Sequence, residues 1–402
     1  MRLAIVGAGI SGLGAAYLLS RSHEVEVFER APYLGGHTRT IRHGGLALDT
    51  GFLVHNERNY PLLLRLFREL GVATQESEMS FSVSCGCGLE YSGRRPFAQP
   101  ARLADPRFHG LLWEIGRWLR TARGSLERLD CESWSLARYL DEQRFSARFR
   151  RHFLVPLTSA LWSTAPGRAL EFPASYAIRF FENHGMLGFG RFRWRYVSGG
   201  SDSYVQALAG RLAGRLHAGL GARSLRRGPD GVELTTDDGE TRRFDAAVVA
   251  THADQALRLL ADPTDEEHRV LGAFPYTENR VVLHTDSSFL PRTRAARASW
   301  NYRLGDDGRP TVTYYLNRLQ RLEDARDFCV TLNQDVPEEH VLDRGVMSHP
   351  LYTVESLAAQ PGLAALSGQR RTWFAGAHHG NGFHEDGLAS GVRVAAALGV
   401  DW

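Results

Sequence analysis

Gly7, Gly9 and Gly12 stand in AIVGAGISG with the Gly-x-Gly-x-x-Gly spacing that brings a backbone turn against a pyrophosphate. Glu29 follows Gly9 by 20 residues, where a carboxylate can take both hydroxyls of an adenosine ribose and disfavour a ribose phosphate. No side-chain charge is needed at the turn. Gly7 permits it, Gly9 lets phosphate approach the backbone, and Gly12 lets the following helix pack closely on the preceding strand. That helix opens with Ile10 and Ser11, and its N-terminus offers unpaired N–H groups and the positive end of a dipole. Gly35 and Gly36 lie where a second backbone loop would meet the same pyrophosphate, with Arg39 and Thr40 available to neutralise or bond it. An ordinary turn is the alternative reading of that glycine pair.

The elements that must position these groups are legible nearby. Residues 3–6 form an apolar run that reads as a buried parallel strand, the helix runs to about Ser20, and residues 24–28 alternate polar and apolar before Glu29. Further on, residues 232–235 and 241–244 flank Asp238-Gly239, a hairpin signal, and residues 246–250 form another buried strand ending at Thr251. Residues 109–126 read as an amphipathic helix with Leu111, Leu112, Ile115, Trp118 and Leu119 on one face. Strand-like runs recur at 281–284, 311–316 and 328–332.

Composition fits a globular enzyme. The chain has 402 residues, 43% hydrophobic and 23% charged, enough for two or three domains of roughly 150 residues. A net charge of +3 gives no argument for nucleic acid. The apolar opening carries four glycines before a charged strand, unlike a secretory signal, and no stretch reaches the roughly 18 apolar residues of a membrane span. A cytoplasmic location is expected. Four cysteines in so long a chain agree with a reducing compartment; Cys85-Gly86-Cys87 is the one close pair, lacks an accompanying ligand pair in sequence, and is expected to be a strand or turn rather than a metal site. All 48 basic residues are arginine, so no lysine Schiff base or lysine general base is possible.

GAGISGLGAAYLL, FERAPYLGGHTRT and LDTGFLVHN at the front, with FAGAHHGNGFHEDGLASG at the back, resemble the flavin-containing amine oxidoreductase superfamily. Within it, MSFSVS, FLVPLTSALWS, VTYYLNRLQRL, VTLNQD and GFHEDGL resemble the flavin domain associated with plant cyclopropane fatty acid synthases and its free-standing bacterial relatives. The resemblance implies an α/β fold in which a Rossmann-like FAD-binding domain (1–75, 198–270 and 365–402) interleaves with an α+β substrate domain (76–197 and 271–364). It also implies noncovalent FAD, held by the glycine loops, Glu29, Gly51, Phe52, Thr251 and Gly376. Glu385 would reach the ribityl chain or phosphates, and a helix beginning at Gly387 and Leu388 would aim its N-terminus at the flavin ring. Plain helix capping is the other reading of Glu385 and Asp386.

The chain departs from its relatives in two places that matter for chemistry. The lysine that many amine oxidases place beside the flavin cannot exist here, and the usual arginine after the glycine pair is His37, leaving phosphate neutralisation to Arg39 or Arg30. The associated synthases imply a fatty acyl substrate of membrane phospholipid, methylated or otherwise modified, oxidised by hydride transfer. His384, His55 and Glu385 are the candidate bases, each with a structural hydrogen-bonding role as its alternative. Residues 190–196, GRFRWRY, suggest peripheral contact with the inner membrane face, helped by Arg148, Arg150 and Arg151, or else a strand with one arginine face and one aromatic face. Two other readings stay open: a flavin-binding accessory partner of a lipid methyltransferase, and an oxidase of a polyene, porphyrinogen or amine.

Overall fold

The computed structural model describes residues 1–126, 134–162, 166–187, 192–304 and 310–402. Its first layer is a five-stranded parallel sheet in the order Leu216–Ala218, Glu24–Glu29, Arg2–Val6, Ala246–Val249, Thr372–Phe374. The strands come from three separate lengths of chain, and the strand that feeds the glycine turn lies at the centre. Period-two alternation divides the sheet's two faces. Leu3, Ile5, Val25 and Val27 face one core with the helices Ile10–Leu19, Pro61–Leu70, Asp202–Arg211 and His384–Ala397. Ala4, Val6, Ala247 and Val249 face another, closed by a three-stranded antiparallel sheet and the helices Ala253–Leu259, Asp265–Leu271 and Gly362–Leu366. The Asp238-Gly239 hairpin forms as read, joining Gly231–Thr236 to Thr241–Phe244.

The first and last helices approach closely because glycines line their contact. A Cβ on Gly391 would fall 2.5 Å from the Ser11 carbonyl oxygen, and one on Gly14 would fall 2.5 Å from Leu388 Cδ1. At Gly391 the obstacle is backbone, so a larger residue there would have to move a helix. Chain ends almost 400 residues apart are thereby fixed side by side at the carboxyl edge of the parallel sheet.

The second layer is a seven-stranded sheet in the order Val341–Pro350, Tyr276–His284, Cys329–Leu332, Pro310–Tyr315, Trp300–Leu304, Phe81–Cys85, Glu90–Ser92. Helices Pro106–Ser125, Leu136–Glu142, Val155–Trp162 and Ala174–Asn183 share a large core with it, rich in Trp118, Trp162, Phe149, Phe172 and Phe181. The amphipathic helix expected at 109–126 starts one turn earlier, because the Asp105 carboxylate accepts from the N–H groups of Arg107 and Phe108 ahead of Pro106 at the first helical position.

The basic and aromatic segment lies partly in a sheet, with Arg193 and Arg151 exposed. Gly190 and Arg191 lie outside the described residues. Trp194–Val197 is the central strand of a three-stranded sheet, where Arg195 donates to the Thr74 hydroxyl at 2.8 Å and to its carbonyl at 2.7 Å. Arg150 is paired with Asp141 at 2.6 Å. No helix among the described residues is long and apolar enough to cross a membrane.

Candidate active site

The site begins at the glycine turn. Gly7 adopts φ +101°, and an added Cβ would strike the Ala250 carbonyl oxygen at 2.6 Å; on Gly12 it would lie 1.9 Å from the Gly7 oxygen. Gly9 differs: a Cβ there would meet nothing within 4 Å. The close packing of Gly7 and Gly12 shapes the turn, while the space over Gly9 is left for a ligand. Gly9 caps the first helix with no side-chain bond, and no acidic residue occupies the first turn. Gly35 bridges to Gly9 and donates to the Ala8 carbonyl at 2.8 Å, so the second glycine loop lies against the first.

Glu29 accepts from the N–H of Ala8 at 2.8 Å and from that of Ala31 at 2.8 Å, placing its carboxylate at the joint of the two loops. The charged groups expected to hold phosphate point elsewhere. Arg39 pairs in bidentate fashion with Asp343, and Arg30 turns to Asp237 at 3.4 Å and the Ala222 carbonyl at 3.0 Å. The Thr40 hydroxyl donates to Asp49 at 2.6 Å. Burial raises the Asp49 carboxyl to about 6 against the hydrogen bonds of Thr40 and Ser201. Phosphate binding therefore falls to backbone N–H groups and the helix N-terminus.

Gly51 is packed so tightly that a Cβ would sit 1.9 Å from the His37 carbonyl oxygen, which also accepts from Phe52 N–H at 2.9 Å. His37 itself donates from Nε2 to the Ser348 carbonyl at 3.0 Å, and burial lowers its basicity. Thr251 lies beside Gly7, with its carbonyl 3.3 Å from where a Gly376 Cβ would be. Gly376 donates to the Ser390 hydroxyl at 2.8 Å, which in turn donates to the Gly387 carbonyl at 2.6 Å.

The tail corrects three expectations. Its helix begins at His384, before Gly387, because the Asp386 carboxylate reaches back to the Phe383 N–H at 2.9 Å. Leu388 is a core residue packed under Gly14. Glu385 caps a different helix: its two oxygens accept from the N–H groups of Leu62 and Leu63 at 2.8 and 3.0 Å, at the start of Pro61–Leu70. Each of its oxygens thus takes one backbone hydrogen bond, which ties the carboxylate to that helix.

The two candidate histidines sit in different surroundings, His384 in a hydrogen-bond network and His55 without a partner. His384 stacks on Phe52 with ring centroids 3.9 Å apart, and its Nε2 lies 2.8 Å from the Thr38 hydroxyl and 3.1 Å from that of Tyr204. Burial, then His37 and His55, push its imidazole down to about 3, so it is neutral at pH 7 and weakly basic. His55 has no solvent exposure and no hydrogen-bond partner on either ring nitrogen, and burial lowers it to about 4.

Other groups gather here without a sequence signal. His252 stacks on Tyr276 at 4.4 Å, His349 lies 5.1 Å from His37, and burial drives these two histidines to about 4 and about 3. Tyr176 and Tyr352 stack at 4.9 Å, and their hydroxyls donate to the carbonyls of Asn381 and Ala377 in the tail at 3.0 and 3.4 Å. Phe383 stacks on Phe180 at 4.9 Å.

The family model for flavin containing amine oxidoreductases matches residues 10–399. The chain belongs to that family. It is an FAD-dependent oxidoreductase, and the open space over Gly9 beside two abutting glycine loops and an uncapped helix fits the pyrophosphate of that cofactor. When bound, FAD supplies the hydride acceptor. A protein of Mycobacterium tuberculosis named as a flavin-containing monoamine oxidase, AofH, is 28% identical over 332 residues, 77% of this chain and 69% of that one. A shorter match, 53% identical over 53 residues, covers 13% of this chain and only 14% of an uncharacterized protein of Methanocaldococcus jannaschii. Among solved structures, a putrescine oxidase triple mutant superposes with a TM-score of 0.75 at 17% identity, covering 99% of this chain and 98% of that one. A fatty acid isomerase from P. acnes, described as producing CLA, gives 0.72 at 17% identity, covering 99% of both chains. Both share the fold.

Proposed function

We propose that this enzyme oxidises or desaturates a modified fatty acyl chain, methylated or cyclopropane-related, by passing a hydride from a carbon beside a double bond or branch to FAD. The observation that supports the reading is the lack of charge on the histidines around the tail, whose two acids are held by backbone N–H groups. Burial lowers His37, His252, His349, His378, His379 and His384, leaving them uncharged at pH 7. The acids Glu385 and Asp386 are occupied by backbone N–H groups. Neutral histidines beside the rings of Phe52, Tyr176, Tyr352 and Phe383 suit a hydrocarbon, which needs no ionic recognition and binds by burial.

The amine oxidase names of similar proteins point the other way. Against them stand the absence of lysine and the direct stacking of Tyr176 on Tyr352, which leaves no gap between these rings for a small amine. The fatty acid isomerase shows that this scaffold serves acyl chains in at least one other protein.

The test is anaerobic flavin absorbance of the purified enzyme mixed with phospholipids from cells with and without a fatty acid methyltransferase. Bleaching by the methylated lipid alone, with a new double bond by mass spectrometry, is the expected result. Bleaching by polyamines instead would transfer the assignment to amine oxidation. No bleaching by either, with tight binding to the methyltransferase, would make the protein an accessory partner.

A further inference from the structure

Cys85 ends the strand Phe81–Cys85, and Cys87 follows in a turn closed by the Gly88 N–H on the Cys85 carbonyl at 2.8 Å. His152 comes from the helical turn Arg150–Leu154, far along the chain. The two sulfurs and one imidazole nitrogen all lie within 4.8 Å of one another, and no other such group of His, Cys, Asp or Glu occurs among the described residues. The Cys87 N–H points at Cys85 Sγ from 3.2 Å, and the Tyr91 hydroxyl donates to the His152 carbonyl at 2.6 Å, so both arms are held in place.

The imidazole supplies a second, independent observation. His152 is 7% exposed and its Nδ1 is buried without a hydrogen-bond partner. An unmade bond of that kind costs on the order of 1–3 kcal/mol. Cys85 is buried and Cys87 is exposed, so the cluster opens to solvent at one ligand.

We propose that Cys85, Cys87 and His152 form a binding site for a thiophilic cation, and that its chemistry is best matched by Cu(I). Two thiolates and an imidazole are soft and borderline donors, and three ligands complete a Cu(I) site, whereas zinc on the same three would need a water as its fourth. Charge favours the same ion. Arg151 acts on both Cys85 and His152, and Arg148 acts on His152 as well. Two thiolates around a monovalent cation leave a net negative charge that these guanidiniums offset; around Zn²⁺ the charge is already cancelled. Binding displaces one proton from each thiol and involves no electron transfer. The site lies on the sheet of the second layer, apart from the glycine loops and tail, so it does not depend on the substrate assigned above.

The experiment is an anaerobic titration of the reduced, FAD-loaded protein with Cu(I) in competition with bicinchoninate. About one equivalent is expected to be withheld per chain. Cys87→Ser, at an exposed position, should abolish retention while leaving FAD content unchanged, and His152→Asn should weaken it by at least about tenfold, a loss that even outer-sphere changes produce. Retention that survives Cys87→Ser, or no retention by the native chain, overturns the site. A Cys85–Cys87 disulfide in protein purified without reductant, together with no copper withheld after reduction, would likewise overturn it and give the pair to thiol redox chemistry.

Discussion

His384 Nε2 lies 2.8 Å from the Thr38 hydroxyl, and the two residues join the first nucleotide segment to the start of the last helix. Tyr204 completes the contact at 3.1 Å. The histidine is therefore a positioning residue. His384→Gln should weaken FAD binding by about tenfold, the scale of one hydrogen bond, and leave the shape of the pH–rate profile unchanged. Loss of a titration in the profile on this substitution would restore the histidine as base.

Glu385 binds the N-terminus of a helix remote in sequence, so its removal should register as stability. Glu385→Ala is expected to cost about 1–2 kcal/mol in denaturant unfolding, with flavin-reduction rate in FAD-saturated protein changed by less than about threefold. A rate loss of about a hundredfold or more without destabilisation would argue for catalysis instead.

His55 is wholly buried with neither nitrogen bonded, which predicts a substitution that helps. His55→Phe should be neutral or stabilising near pH 5. The sign follows from its lowered pKa of about 4 against 6.5 when unfolded. Its contribution to stability is present above pH 6.5 and lost as pH falls through about 4, by up to about 3 kcal/mol. The variant's Tm should fall less steeply over that window.

Gly9 and Gly12 separate ligand space from packing space. Gly9→Ala should fold with the stability of the FAD-free native protein and lose FAD affinity by at least about tenfold, because its Cβ enters only the space over the turn. Gly12→Ala puts a Cβ 1.9 Å from the Gly7 oxygen and should reduce the yield of folded protein. Equal FAD affinity in Gly9→Ala and native protein would mean that the pyrophosphate does not lie over Gly9.

The buried histidines predict acid sensitivity of the whole enzyme. His252 at about 4, with His349, His379 and His384 at about 3, each favour the folded state above pH 6.5 and cease to do so as pH falls through those values. Asp49, raised to about 6, works in the opposite sense between about pH 4 and 6, but it is one group against several. Tm is expected to decline steadily below pH 6.5, as thermal unfolding in matched buffers would show.

The sequence by itself determined the glycine turn, the strands and helix around it, the Asp238-Gly239 hairpin and the family. The first three rest on residues within one turn or one strand of each other, where backbone geometry dictates the residue type, and the family on several such motifs spread along the chain. It could not show where the polar side chains of the site would end. Glu385 finds Leu62 across 323 positions, His384 finds Thr38 across 346, and His152 finds Cys85 and Cys87 from a separate helix. Arg39 resembled a phosphate ligand until Asp343, 304 residues away, claimed it. Such pairings leave no local pattern, because a buried polar group is satisfied by whatever the packing of distant segments brings within about 3 Å, and only the tertiary structure decides that.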